Sequence, residues 1–262
     1  MSIEVLTAIM VFIIGLVFGS FYNVVGYRLP NGMSIAFPQS HCPNCNHKLK
    51  FYELIPVISY IFLLGKCKKC KKRISFSYPF FEILTGVLFL LSYLVFGINV
   101  KFFISITFIS ILIIISISDI KYYIIPDEVL IVGSIIIIIE LIINSLIMDV
   151  SLINGVVMPI LNGLGSFALL YLFKVFGDAV FQRESLGGGD IKLLFVIGLV
   201  LGFDMSIVII FIASFIALPL SVISLIKNDN NILPFGPYLS VASIIVLLTN
   251  LNLDMILEFF IK

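Results

Sequence analysis

The stretch Leu186-Gly187-Gly188-Gly189-Asp190-Ile191-Lys192 decides how this chain is organised, together with its partner Ile117-Ser118-Asp119-Ile120-Lys121. In each stretch a long apolar run meets a short polar loop, and an aspartate lies at the junction. Ionisable side chains at membrane depth are costly and usually serve a function. Three consecutive glycines carry no Cβ, so another group can approach the following carboxylate closely. The pattern predicts that two boundary carboxylates, Asp119 and Asp190, meet between packed helices.

Composition places the rest of the chain in a membrane. Hydrophobic residues make up 61% of it and charged residues only 12%, with a mean hydropathy of +1.21, far more apolar than a soluble domain. An apolar helix of about 20 residues crosses the hydrocarbon core. Runs of roughly this kind occur near 3–25, 79–98, 101–118, 128–148, 154–177, 190–203, 205–226 and 237–260. We therefore predict an all-α polytopic membrane protein with about eight transmembrane helices.

The distribution of Lys and Arg predicts the orientation. With the N-terminus outside, only Lys101 and Lys262 of the 16 basic residues lie outside, as the positive-inside rule requires. The expected parts are a first transmembrane helix at 1–25, a cytoplasmic loop at 26–78 and a seven-helix membrane domain at 79–262. Both aspartates then share the cytoplasmic edge of a multi-pass protein in the inner membrane.

All four cysteines lie in the 26–78 loop, as two C-x-x-C pairs separated by 21 residues: Cys42, Cys45, Cys67 and Cys70. Thiolates two residues apart can bind one tetrahedral ion from a tight turn, and two such turns complete four ligands. A cytoplasmic, reducing setting disfavours a disulfide. The spacing predicts a structural zinc site, with redox-active or free thiols as the alternative. His41 and His47 flank the first pair and could substitute as ligands.

Paired aspartates hydrolyse amide bonds by sharing one proton, because the ionised one activates water while the protonated one donates to the carbonyl. Asp190 starts a predicted helix, where the macrodipole favours an anion, and Asp119 ends one, where it does not. This predicts Asp190 as the initial base and Asp119 as the acid. The two histidines both lie beside the cysteine pairs, so no Ser/His/Asp triad competes.

Polar residues beside the two aspartates are candidates for accessory roles. Asp127 follows Pro126 and falls in the first turn of the next predicted helix, where a carboxylate stabilises the helix start. Lys192 repeats the Asp-Ile-Lys pattern of 119–121. It either binds an anionic group or snorkels to the inside boundary as Lys commonly does.

Several motifs resemble, in order along the chain, those of the type IV prepilin peptidases, also called leader peptidase/N-methyltransferases. The matching residues are Gly19 to Val24 with Arg28-Leu29-Pro30, Cys42-Pro43-Asn44-Cys45, Ile55-Pro56, Ser59, Gly65, Cys67 to Cys70, Ile74-Ser75, Tyr78-Pro79, Glu82, Asp119, Ile125-Pro126-Asp127 and Gly187 to Lys192.

The resemblance implies an intramembrane aspartic protease of the G-x-G-D type whose catalytic pair is Asp119 and Asp190. It implies cleavage of the basic leader from type IV prepilins and pseudopilins on the cytoplasmic side, followed by N-methylation of the new N-terminal residue with S-adenosylmethionine. The four cysteines match the loop of bifunctional members. Glu82 matches a family glutamate and is either a polar contact of the methyltransferase or substrate site, or a side chain anchored by Lys71 to Arg73. Gly187, Gly188, Gly189, Lys192 and Asp127 are further accessory candidates.

Two other classes of function are compatible with parts of the sequence. A transporter could bind a cation with boundary aspartates beside a glycine-broken helix, but its carboxylates usually lie at the bilayer midplane, within repeated halves. A membrane scaffold with a zinc-dependent docking loop leaves the triple glycine without a use. The expected partners are prepilin substrates and the lipid bilayer, with no role for nucleic acid. No motif locates the binding site of the methyl donor.

Overall fold

A computed structural model describes residues 2–182, 186–226, 233–255 and 258. Within these residues the regular structure is helical, with short 3₁₀ turns at Leu29–Asn31 and Phe51–Glu53 and a π-helical turn at Ile153–Val157. The α-helices are α1 (Ile3–Arg28), α2 (Ile58–Phe62), α3 (Ser77–Phe96), α4 (Val100–Tyr122), α5 (Asp127–Ile147), α6 (Met158–Phe181), α7 (Gly188–Leu201), α8 (Phe203–Ile226) and α9 (Gly236–Thr249). The predicted all-α membrane fold is confirmed.

The chain forms two compact units, Met1–Ile98 and Asn99–Lys262. This differs from the predicted division at residues 25 and 78, because α3 packs against α1 and so belongs with the first unit. The packing is close because the two helices meet at glycines. A Cβ on Gly15 would lie 2.7 Å from Gly86 Cα, and one on Gly19 would lie 2.8 Å from Glu82 Cα. Small residues spaced four apart are typical of tight helix pairs in membranes.

In the second unit, α4 and α7 supply most of the core. Phe108, Leu112 and Ile115 of α4 and Leu193, Leu194 and Ile197 of α7 are completely buried. Both helices also pack against α9. Buried positions on several sides of α7 explain why its apolar sequence shows no single polar face, as expected for a helix enclosed by others. The two helices that carry the predicted aspartates therefore lie at the centre of the second unit.

In the part of the chain that the structure describes, six helical segments are long and apolar enough to cross a membrane: Ile3–Asn31, Ser77–Phe96, Val100–Tyr122, Asp127–Ile147, Ile153–Phe181 and Phe203–Ile223. The predicted count of about eight is not confirmed by length, because α7 and α9 have 14 residues each. At 1.5 Å per residue such a helix is only about 21 Å long. Part of the predicted span 237–260 lies outside the described residues.

Candidate active site and metal centre

Asp119 lies in the last turn of α4 and is only 6% exposed. The helix continues for three residues beyond the aspartate, to Tyr122. Tyr123 then takes a left-handed conformation, with φ of 57°, and Ser118 Oγ donates to the carbonyl of Ile124. Together these contacts fold the chain sharply back towards α5, which begins after Pro126 as predicted.

Gly236, the first residue of α9, forms a hydrogen bond with the Asp119 carboxylate. Its backbone N–H donates to Asp119 Oδ2 at 3.0 Å. A Cβ at this position would lie 2.7 Å from the same oxygen, so only glycine permits this approach. Gly236 is not among the site residues predicted from the sequence. The available signal was Pro234-Phe235-Gly236-Pro237, a proline- and glycine-rich start to the last apolar run.

Asp190 lies in the first turn of α7 and is 8% exposed. Its Oδ1 is buried and has no hydrogen-bond partner among the described residues. An oxygen in this state is unusual in a protein interior and calls for an explanation, such as a shared proton or a reacting molecule.

The three glycines before Asp190 serve different purposes. A Cβ on Gly187 would lie 3.0 Å from Asp190 Oδ2, and one on Gly189 would lie 2.7 Å from Ile125 Cβ. A Cβ on Gly188 would have no heavy atom of the described chain within 4 Å. None of the three is among the glycines with positive φ, so close approach, rather than an unusual backbone conformation, is what requires glycine.

The structure brings Asp119 and Asp190 into one site within the second unit. The Ile125 side chain lies against the Cα positions of both Gly189 and Gly236, so it joins the start of α7 to the start of α9. The two carboxylates lie close enough for the charge of Asp119 to act on Asp190. Each acid comes from a different helix, and both are shielded from solvent. Such a pair can activate water and donate a proton to the same carbonyl group.

The accessory candidates Asp127 and Lys192 bind each other. Lys192 Nζ donates to both carboxylate oxygens of Asp127 at 2.7 Å. Each side chain is about half exposed, so the pair is worth little in stability. It connects the first turn of α5 to α7 beside the aspartates. The lysine therefore has an internal carboxylate partner and does not depend on an external anion.

The four cysteine sulfurs form a cluster in the first unit in which all Sγ atoms lie within 4.8 Å of one another. Cys42 and Cys70 are 3.9 Å apart, as are Cys45 and Cys67. A tetrahedral zinc ion with Zn–S bonds of about 2.3 Å separates its sulfurs by about 3.8 Å, whereas a disulfide requires about 2.05 Å. The cluster thus fits a metal ion.

The two histidines have partners other than the sulfur cluster. His47 Nε2 lies 3.2 Å from Glu53 Oε2, and His41 Nδ1 lies 2.9 Å from the Gln39 carbonyl. Burial by itself would raise the pKa of Glu53, but the Lys50 N–H and the His47 ring outweigh burial and hold that pKa below its ordinary value. The ionised Glu53 thereby pins the segment after the first cysteine pair. The histidines are not needed as metal ligands.

Glu82 connects the loop to the α1–α3 pair. Its buried carboxylate accepts the Val57 N–H at 2.7 Å and also interacts with Ser20. The ion pairs found in the described part of the chain do not include an anchor from Lys71 to Arg73. Glu82 therefore holds the start of α2 against the first unit's helices.

Two family models match in chain order: the bacterial peptidase A24 N-terminal domain over residues 13–96 and the type IV leader peptidase family over residues 106–222. These ranges fall within the two compact units. A prepilin leader peptidase/N-methyltransferase of Bacillus subtilis (strain 168) is 35% identical over 254 residues, which cover 96% of each chain. This chain belongs to the type IV leader peptidase family.

Other members are similar over nearly the same length. A prepilin leader peptidase/N-methyltransferase of Neisseria gonorrhoeae is 30% identical, over 91% of this chain and 89% of its own. One of Pseudomonas aeruginosa is also 30% identical, over 90% and 88%. No solved structure matches the chain. Family membership confirms the resemblance noted in the sequence and makes the protein a membrane enzyme. The transporter alternative has no support.

Proposed function

We propose that Asp119 and Asp190 are the catalytic pair of an aspartic endopeptidase that cleaves the leader from type IV prepilins or pseudopilins. The observation that carries this proposal is the meeting of two buried carboxylates from different helices, one of which leaves an oxygen unpartnered among the described residues. The names of the relatives supply the substrate class and add N-methylation of the cleaved product.

The contacts around the pair favour an assignment opposite to the one predicted from helix position. Asp119 accepts a backbone N–H at the start of α9, and a hydrogen bond to a carboxylate favours its ionised form. Asp190 Oδ1 has no such donor among the residues described. Asp119 is therefore the base that takes a proton from water, and Asp190 is the acid.

In this mechanism the water oxygen bonds to the scissile carbonyl carbon while Asp119 accepts the water proton and Asp190 donates its own to the carbonyl oxygen. The tetrahedral intermediate then collapses as its carbon–nitrogen bond breaks. The proton on Asp119 passes to the departing nitrogen, and Asp190 recovers a proton from the hydroxyl of the new acid. The products are the leader with a free carboxyl group and the pilin with a free amine. Because Gly188 has open space beside it, the substrate backbone passes there.

Asp119→Asn and Asp190→Asn test the pair. Each substitution keeps the shape of the side chain but removes its acid chemistry, so each should lower the cleavage rate by at least about a thousandfold. Electrophoresis and mass spectrometry of a prepilin incubated with the purified protein would measure this. Asp204→Asn, on an exposed carboxylate of α8, is the matched control and should cleave normally. Full activity in either site variant would refute the pair.

The four cysteines are proposed to hold a structural zinc ion, since their sulfur spacing fits tetrahedral thiolate coordination. S-adenosylmethionine, when bound, supplies the methyl group.

The protein is a multi-pass protein of the inner membrane. We further place its N-terminus outside and the aspartates at the cytoplasmic face, on the distribution of Lys and Arg.

A further inference from the structure

The first unit contains a cavity of about 400 Å³ that the peptidase mechanism does not use. It lies between the last turns of α1 and two loop segments on either side of the first cysteine pair, near 35–40 and 49–54. Small-molecule sites in proteins commonly enclose about 300–1,000 Å³. The cavity is therefore of a size to bind a cofactor.

The first cysteine turn builds two of its walls. Residues 41–48 form a tight hairpin in which His41 pairs with Lys48, and the Leu49 N–H donates to the Ser40 carbonyl at 2.9 Å. The hairpin thus sets the segments before and after it side by side. Arg28, at the end of α1, donates through Nη1 to the carbonyls of Ser34 and Ile35 at 3.0 and 3.4 Å. These bonds attach one wall to the helix.

The lining combines one cation with aromatic, polar and apolar groups. Arg28 is the only charged residue among those that line the cavity, which also include Gln39 and Ser40. Nη1 is occupied by the two carbonyls, but no hydrogen bond of the described chain engages Nε or Nη2. Phe21 and Phe51 line it too and are 47% and 86% exposed, so both rings have uncovered faces.

We propose that this cavity binds S-adenosylmethionine for the methylation step, an inference that rests on the proposed bifunctional activity. The remaining guanidinium donors suit the carboxylate of the methionine moiety, because arginine binds carboxylates through paired N–H groups. An aromatic face suits stacking with adenine and attracts the sulfonium cation. The amide of Gln39 and hydroxyl of Ser40 suit the ribose hydroxyls.

An anionic lipid headgroup is the main competing occupant, since Arg28 would attract a phosphate. A lipid would contact the two aromatic rings through its acyl chains alone, whereas a nucleoside can use the rings, the amide and the hydroxyl together. The lining therefore favours the nucleoside, and the lipid becomes an outcome of the test.

The test measures binding rather than turnover. The full-length protein in detergent is titrated with S-adenosylmethionine by calorimetry, with and without a prepilin. Arg28→Gln and Phe51→Ala should each weaken binding, the first by about tenfold or more because it removes a charge-assisted contact. Arg28→Lys should restore part of the affinity. Arg73→Gln, which removes an exposed charge of the same loop outside the cavity, should bind like wild type.

Unchanged affinity in both Arg28→Gln and Phe51→Ala would overturn the proposal, as would a wild-type protein that does not bind with or without prepilin. If Arg28→Gln fails to fold, Phe51→Ala decides alone, because this exposed ring contributes little to packing. Loss of co-purifying phosphatidylglycerol from Arg28→Gln with normal S-adenosylmethionine affinity would identify a lipid site and also overturn it. Binding does not require Asp119 or Asp190, so failure of the peptidase proposal would be seen separately in the cleavage assay.

Discussion

Gly236 shows how one missing side-chain atom organises the site. Its N–H and the absence of a Cβ allow α9 to start directly against Asp119 Oδ2. The contact orients a buried carboxylate that otherwise has few polar neighbours. In the proposed mechanism Gly236 is a positioning residue, because it would act on the reaction through Asp119.

We predict that Gly236→Ala lowers kcat by at least about tenfold while KM for the prepilin stays within about twofold. The added methyl group would collide with Asp119 Oδ2 and Ile125 Cδ1, so it would displace a catalytic group without touching the substrate. Steady-state cleavage kinetics measure both constants. Val241→Ala, on the exposed side of the same helix, is the control and should behave like wild type. A change confined to KM would contradict the positioning role.

Among the structural elements, the two cysteine turns depend on each other. The Cys42 N–H donates to His47 O and the Cys67 N–H to Lys72 O, so each turn closes on its own backbone. Lys72 Nζ donates to Asn44 Oδ1 at 3.2 Å and links the two turns, and a metal ion bound by all four sulfurs would join them more firmly. Removal of the proposed ion would leave the two turns joined by this single exposed hydrogen bond.

Elemental analysis of the purified protein should find one zinc ion per chain. Cys67→Ser should lose most of the metal and increase proteolysis of the loop, because a structural zinc site contributes directly to folding. His41→Ala should retain the metal, since the His41 ring lies against Gln39 O and is not needed as a ligand. Zinc loss in His41→Ala with retention in Cys67→Ser would show that the ligand set is wrong.

The α1–α3 pair offers a test of helix packing. Gly15→Val places side-chain atoms where Gly86 Cα and Thr85 O already lie, at 2.7 and 3.0 Å from a Cβ. We expect destabilisation of about 1–3 kcal/mol, typical of overpacking. Thermal unfolding in detergent, followed by circular dichroism, should show a lower midpoint. Val17→Leu, at a position 54% exposed on the same helix, should leave the midpoint unchanged. Equal midpoints in the two variants would argue against the close contact.

For the whole molecule, the bond between Asp119 and Gly236 constrains the path through the membrane. This bond places the end of α4 and the start of α9 on the same side of the membrane, with Asp190 near them. If α8 crosses the membrane, as its length and composition allow, its start lies on the side opposite to these three groups. Helix α7 would then connect the two sides despite its 14 residues. Enclosure by neighbouring helices lets a short helix do this without exposing polar backbone to lipid.

Cysteine labelling in intact cells tests this path. Asp204→Cys, in the first turn of α8, should react with a membrane-impermeant maleimide from outside. Leu186→Cys, two residues before α7 begins, should react only after the cells are permeabilised. Wild type, whose four native cysteines belong to the loop predicted to be inside, provides the background. Labelling of positions 186 and 204 from the same side would show that α7 does not cross.

Much of the site could be predicted from local pattern. The C-x-x-C spacing identified four side chains whose sulfurs do converge, because each turn is built from neighbouring residues. The apolar runs located most helices, since a span is a local property. The domain boundaries could not be found in this way. Helix α3 packs against α1 through glycines about 70 positions apart. A pattern within a short stretch of sequence cannot predict which distant helix will be the packing partner.

The sequence by itself determined that this is a helical membrane protein with a four-cysteine cluster and two boundary aspartates. Hydropathy, ligand spacing and glycine content are properties of short stretches of sequence, so they can be recognised without the fold. Only the tertiary structure supplied the contact on which we base the proposal that Asp119 is the base. When only its own helix, α4, is considered, Asp119 lies near the C-terminal end, where the helix dipole disfavours an anion. In the fold it receives the N–H of Gly236, 117 residues away. A hydrogen bond between distant segments outweighs the field of the local helix because it acts at contact distance in a buried site.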